Sequence, residues 1–179
     1  MYIQKWKNWF LYFWLYAVIG WIYEVFLEVV VYHWGFSNRG FLFGPYCPVY
    51  GFGALLILFA FGSLRKKRLV LGSVNIMPIF IFFGIVVLTT AVELLTSYIM
   101  EWTTGGWLWD YHSYPFQFQG RIALSPSVRF GIGGMVIFYG LQPVLDKLQK
   151  KLGEKLWGRI SLVLFVLMAA DFIWTVWHK

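Results

Sequence analysis

Four carboxylates stand inside long apolar runs of this chain: Glu24, Glu28, Glu93 and Asp171. An ionised group in such a setting is costly unless it finds a partner, a water-filled cavity or a proton. Glu24 and Glu28 are four residues apart, which places both on one helix face, where they call for a cation, a proton or an arginine between them. Glu93 lies among Thr89, Thr90, Thr96 and Ser97, whose hydroxyls can hydrogen-bond it. Arg129 opens a further apolar run, and Asn38, Arg39, Asp110 and Arg121 lie in the segments between runs. Arginine offers a planar fork of donors matched to carboxylate and phosphate. The expected ligand-binding set is therefore Glu24, Asn38, Arg39, Glu93, Asp110, Arg121 and Arg129, and the expected ligand is an anionic small molecule or lipid. Glu93, Asp110 and His112 are the candidates for acid–base catalysis, since a histidine titrates near neutral pH. The competing reading is a set of ion pairs that only fixes helix packing.

These residues must be held by membrane helices. The chain of 179 residues is 60% hydrophobic and 13% charged, against roughly 45–50% and 25% in soluble domains. One transmembrane domain, residues 1–179, accounts for the length. Runs of about 20 apolar residues span a bilayer, and five segments qualify, at about 9–32, 46–64, 74–100, 128–145 and 160–177. The fold class expected is an all-α polytopic bundle of five transmembrane helices. The acids and arginines would then line one outward-facing polar cavity.

Eleven of the fifteen basic residues collect on one side of these spans: Lys5, Lys7, Arg65, Lys66, Lys67, Arg68, Lys147, Lys150, Lys151, Lys155 and Arg159. The positive-inside rule makes that side cytoplasmic, the N-terminus internal and the C-terminus external. The expected location is a bacterial cytoplasmic membrane. The net charge of +7 is thus a topology signal, and nucleic acid is not an expected partner.

Three connecting segments stand out. Residues 38–53, NRGFLFGPYCPVYGFG, combine glycines, two prolines and Arg39 ahead of the second span. Backbone N–H groups at a helix start favour an anion, so this loop is the expected anion-holding wall. Residues 101–127 form a long aromatic outer loop, expected to cap the site or re-enter the membrane. Residues 146–159, DKLQKKLGEKLWGR, place Leu148, Leu152, Leu156 and Trp157 at helical spacing, as a basic amphipathic helix resting on membrane lipids would.

No phosphate-binding loop, zinc motif or nucleophile elbow occurs, so no cofactor and no metal are expected. Cys47 is the single cysteine and cannot form an intrachain disulfide.

Several of these residues recur as a pattern: Glu24; Asn38-Arg39-Gly40 with Gly44-Pro45, Pro48 and Tyr50-Gly51; Glu93, Ser97 and Glu101; Trp109-Asp110-Tyr111; and Pro115 with Gly120-Arg121-Ile122. Together they resemble the CmpB-like membrane proteins, the ABC transporter type IV group. The resemblance implies a permease-like protein with a partner subunit. The sequence departs from the pattern at His112 and Gln119, where a small polar residue and an asparagine are expected, and at Arg129, where an apolar or aromatic residue is expected. Neither cytoplasmic loop carries the coupling motif usual in permeases of ATP-driven importers. A binding or transport component is the first functional reading. An intramembrane enzyme acting on a lipid headgroup or lipid-linked substrate is the second, and an assembly protein the third.

Overall fold

A computed structural model describes residues 2–38, 40–107 and 109–178, with side chains from Asn8 onward. Arg39 and Lys179, and the side chains of Lys5, Trp6 and Lys7, lie outside the described residues. The order of elements is α1 (Tyr2–Phe26), extended by a π-helical turn (Leu27–Val31); α2 (Pro48–Phe61); β1 (Val70–Leu71) and β2 (Val74–Asn75); α3 (Met77–Thr104); β3 (Gln117–Phe118) and β4 (Ile122–Ala123); α4 (Leu124–Met135), followed by a π-helical stretch (Val136–Leu141); and α5 (Gln142–His178). Two antiparallel two-residue hairpins, β1–β2 and β3–β4, are the strands among the described residues.

The protein is mostly helical, and three helical stretches are long and apolar enough to cross a membrane: Asn8–Val31, Met77–Thr104 and Leu124–His178. Pro48–Leu64 is a shorter apolar helix. The segments expected at 128–145 and 160–177 both lie in the 55-residue stretch Leu124–His178. Gly153 interrupts that stretch with φ 74° and ψ 157°, which is not helical. The third segment begins at Met77 rather than Val74, because Val74 and Asn75 belong to a hairpin and Pro78 occupies the first helical turn. Apolar side chains project outward along these helices, for instance Phe83 at 61% and Val87 at 68% exposure on α3. Such surfaces suit a lipid environment and no aqueous one.

The chain divides into two compact units, one of residues up to Leu56 together with those from Pro143 onward, the other Ile57–Gln142. In the first, Ala17, Leu42 and Tyr46 form a buried cluster with Trp14, Val18 and Met168 around it. Tyr12 of α1 donates to Asp146 and Gln149 of α5 and stacks obliquely on Trp157, at 5.4 Å between centroids. Trp157 is fully buried. Its place is therefore inside the unit, whereas the amphipathic pattern had put it on the lipid-facing side. In the second unit, α3 and α4 pack through Ile85, buried completely, and a Thr90–Ser127 hydroxyl bond of 2.8 Å.

Candidate functional site

Each unit holds its own polar constellation. In the Ile57–Gln142 unit, α3 places Glu93, Ser97 and Glu101 four residues apart, hence along one face. The helix stops at Thr104, capped by Gly105 in the left-handed conformation (φ 80°). The chain then returns over that face. Trp109 donates through its indole to the Arg121 carbonyl (2.8 Å), and the Tyr111 amide donates to the Gly120 carbonyl (2.9 Å).

The turn that delivers Arg121 is tight. The Arg121 amide donates to the Phe118 carbonyl at 2.9 Å, and the two residues between, Gln119 and Gly120, have φ of 53° and 66°. Both values are positive, as a type I′ turn requires, and asparagine or glycine adopts them most easily. Gly120 has a second reason to be glycine: the His112 imidazole lies where its Cβ would be.

The turn buries the Arg121 side chain, which is 6% exposed. One terminal nitrogen donates to Glu101 (2.5 Å) and the other to Ser97 (3.3 Å). The guanidinium carbon lies 4.2 Å from the Tyr98 ring centroid and 3.9 Å from that of Trp107, both within cation–π range. Three buried polar atoms here have no hydrogen-bond partner among the described residues: Nε of Arg121, Nε1 of Trp107 and Oε2 of Glu93. The other oxygen of Glu93 accepts from the Tyr111 hydroxyl at 2.8 Å. Burial, together with the adjoining Glu93 carboxyl, raises the Tyr111 pKa, so this phenol keeps its proton.

Asp110 and His112 form a separate pair at the surface. Their side chains are 71% and 62% exposed, with Oδ1 and Nδ1 2.5 Å apart. The His112 backbone N–H, donating at 2.9 Å, and the His112 ring hold the Asp110 carboxyl below its ordinary range. Arg129 is exposed on α4 and close enough to Tyr111 to act on it electrostatically.

In the other unit the acids meet tyrosines and amides. Glu24 of α1 accepts from the Tyr50 hydroxyl of α2. Gly20, one turn earlier on α1, makes room for that ring, since the Tyr50 side chain fills the space a Cβ would take. Glu28 is buried and accepts from the Ser37 hydroxyl (2.7 Å) and amide (3.3 Å). Asp171 of α5 accepts from the amides of Phe43 (3.1 Å) and Gly44 (2.8 Å), from Thr175 (3.2 Å) and from the Tyr46 hydroxyl. The glycine- and proline-rich loop thus does present amides to an anion, and that anion is the Asp171 carboxylate. Asn38 braces the same loop, accepting from the Trp21 indole (2.8 Å) and donating to the carbonyls of Phe43 (2.8 Å) and Leu42 (3.3 Å). A cavity of about 850 Å³ opens in this unit beside Glu24 and Tyr50. Its walls are otherwise apolar, including Phe13, Phe52, Met168 and Phe172.

Residue type and spacing do not mark Tyr46, Tyr50, Tyr98 or Tyr111 as partners of charge, and Tyr50 and Tyr111 enter only through the family pattern. Of the hydroxyls expected around Glu93, those of Thr89, Thr90 and Ser97 are engaged elsewhere, with the Ile85 carbonyl, Ser127 and the Leu94 carbonyl respectively, and the Tyr111 hydroxyl donates to Glu93 instead. Among the described residues, no cluster of three or more His, Cys, Asp or Glu side chains could hold a metal ion.

The model of the family described as "Putative ABC-transporter type IV" (ABC_trans_CmpB) matches residues 11–176. The chain belongs to that family. No curated protein and no solved structure matches it. Family membership and the apolar helices make it a membrane protein of a transporter-type family. Both constellations fall within the matched residues.

Proposed function

We propose that this protein is a permease-like binding or transport component for a small or lipid-borne anionic ligand, held at Arg121. The observation that carries the reading is a pair of buried donors without a partner among the described residues, Nε of the positive Arg121 guanidinium and Nε1 of Trp107. Buried polar groups are almost always hydrogen-bonded, and two such donors call for an oxyanion. Glu93 Oε2, an unpartnered acceptor, calls for a donor, so the ligand would carry a hydroxyl as well as an acidic group. A hydroxylated phosphate ester or hydroxy acid has that chemistry. Exposed Arg129 would guide the anion inward.

In this reading the chain crosses a bacterial cytoplasmic membrane five times, with its N-terminus inside, and the 101–127 segment caps or re-enters the outer side. Two of the crossings are the halves of Leu124–His178 on either side of Gly153, and Pro48–Leu64 is a short one.

Thermal unfolding of the purified protein with inorganic phosphate, glycerol 3-phosphate and short-chain phosphatidic acid tests the assignment. A ligand at about 100 times its Kd stabilises by about 2.7 kcal/mol. At least one probe should stabilise the parent and fail to stabilise Arg121→Gln. Equal stabilisation of both proteins would overturn the site.

A second reading, an enzyme acting on a lipid headgroup, draws on the Asp110–His112 pair, in which the carboxylate orients the ring and leaves Nε2 to move a proton. Turnover of such a substrate, lost in His112→Gln with the fold intact, would favour it.

A further inference from the structure

The cavity beside Glu24 points to a different ligand class. We propose that it binds a lipophilic organic cation, with Glu24 as its counter-ion. The cavity's volume, about 850 Å³, is within the range of drug-sized ligand sites. Among the described residues, Glu24 is the sole acid lining it, and no lysine or arginine does. One Glu24 oxygen accepts from Tyr50, and the other carries no hydrogen bond among the described residues.

Aromatic side chains supply the rest of the chemistry. Phe13 and Phe52 meet edge to face, with centroids 4.8 Å apart, and Phe41 and Phe172 add further rings. A ring face is electron-rich and attracts cations, organic ammonium groups above all. A carboxylate within apolar walls is costly without a partner, and so is a cation brought among phenyl rings. A ligand combining one positive charge with a large apolar body answers both needs. Among the described residues no cation lines the cavity, so an anion would be repelled by Glu24, and a neutral apolar compound would leave its second oxygen without a partner. The proposal is independent of the Arg121 site, which lies in the other unit and selects the opposite charge.

Equilibrium dialysis of the purified full chain against tetraphenylphosphonium and, in a separate cell, against tetraphenylborate tests it. The two ions are close in size and apolar surface and opposite in charge. We expect saturable binding of the cation at one site and no saturable binding of tetraphenylborate there. Glu24→Gln should weaken that binding by about tenfold or more. Tyr50→Phe, which releases the second carboxylate oxygen, should keep affinity within about threefold. Ala169→Phe, which fills the cavity while leaving the carboxylate, should abolish binding and serves where Glu24→Gln does not fold. Arg121→Gln should bind the cation as the parent does, so failure here and failure at the anion site are separable. Unchanged cation binding in Glu24→Gln or Ala169→Phe, or saturable binding of tetraphenylborate as tight as that of the cation, would overturn the proposal.

Discussion

Asp171 and Arg121 are both charged groups reached by a folded-back segment, yet they end in opposite states. Asp171 receives two amides and two hydroxyls, all from its own unit. Its charge is met by the loop it anchors, and it stands as a structural pin. Arg121 is more deeply buried and less completely met. Glu101 and Ser97 take its terminal nitrogens, two rings cover its faces, and among the described residues neither Nε nor the Trp107 indole N–H has a partner. The contrast separates two arrangements of an intramembrane charge: one whose partners the fold supplies in full, and one that leaves polar atoms without a partner among the described residues.

The largest stability effect should come from breaking the pin. Asp171→Ala leaves the Phe43 and Gly44 amides and the Tyr46 hydroxyl without their acceptor, and should destabilise by about 3 kcal/mol in chemical unfolding. It should leave anion binding in the other unit intact. If Asp171→Ala were neutral, the carboxylate would not be the loop's anchor.

Arg121→Ala should cost about 2 kcal/mol, because its partner Glu101 is half-exposed and can be hydrated once released. Its distinguishing result is functional: anion-dependent stabilisation disappears. A stability loss without that binding loss would turn Arg121 into a second pin and erase the contrast.

Gly120→Ala should cost about 1–2 kcal/mol, since a side chain at this positive φ is strained. The new methyl must also displace the His112 ring. The variant should weaken anion binding by moving Arg121, with little change in the Glu24 cavity.

The smallest effect concerns Asp110. Its carboxyl is held below its ordinary value of 3.8 in the folded protein, so its contribution is present above that value. The contribution is lost as pH falls through the lowered folded value. Asp110→Asn should remove that part of the acid dependence, read as a flatter unfolding midpoint between about pH 5 and about pH 2, roughly one unit above the ordinary value and two below it.

How much of this was legible beforehand differs by level. The helices were, because apolar runs of bilayer length have few alternatives, and the family pattern ran through Glu24, Glu93, Ser97, Glu101 and Arg121. Leu124–His178 shows the limit: composition marks two runs there, whereas the backbone is one helical stretch interrupted at Gly153. Glu101 was in the family pattern, but its pairing with Arg121 depends on a hairpin of two-residue strands, too short for periodicity to reveal. The positive φ at Gln119 gives a physical reason for the asparagine expected there, and only the backbone could show it. The acid–tyrosine bonds escaped because a tyrosine near a membrane surface also serves as an interfacial anchor, and spacing does not separate the two roles.

The central claim is that Arg121 and Trp107 together await an oxyanion. The most direct measurement is an experimental structure of the protein in a lipid bilayer containing the probe that stabilises it. The account predicts density for an acidic group within hydrogen-bonding distance of both Arg121 Nε and Trp107 Nε1. A dry guanidinium fully paired with protein groups, and no density beside it, would contradict it.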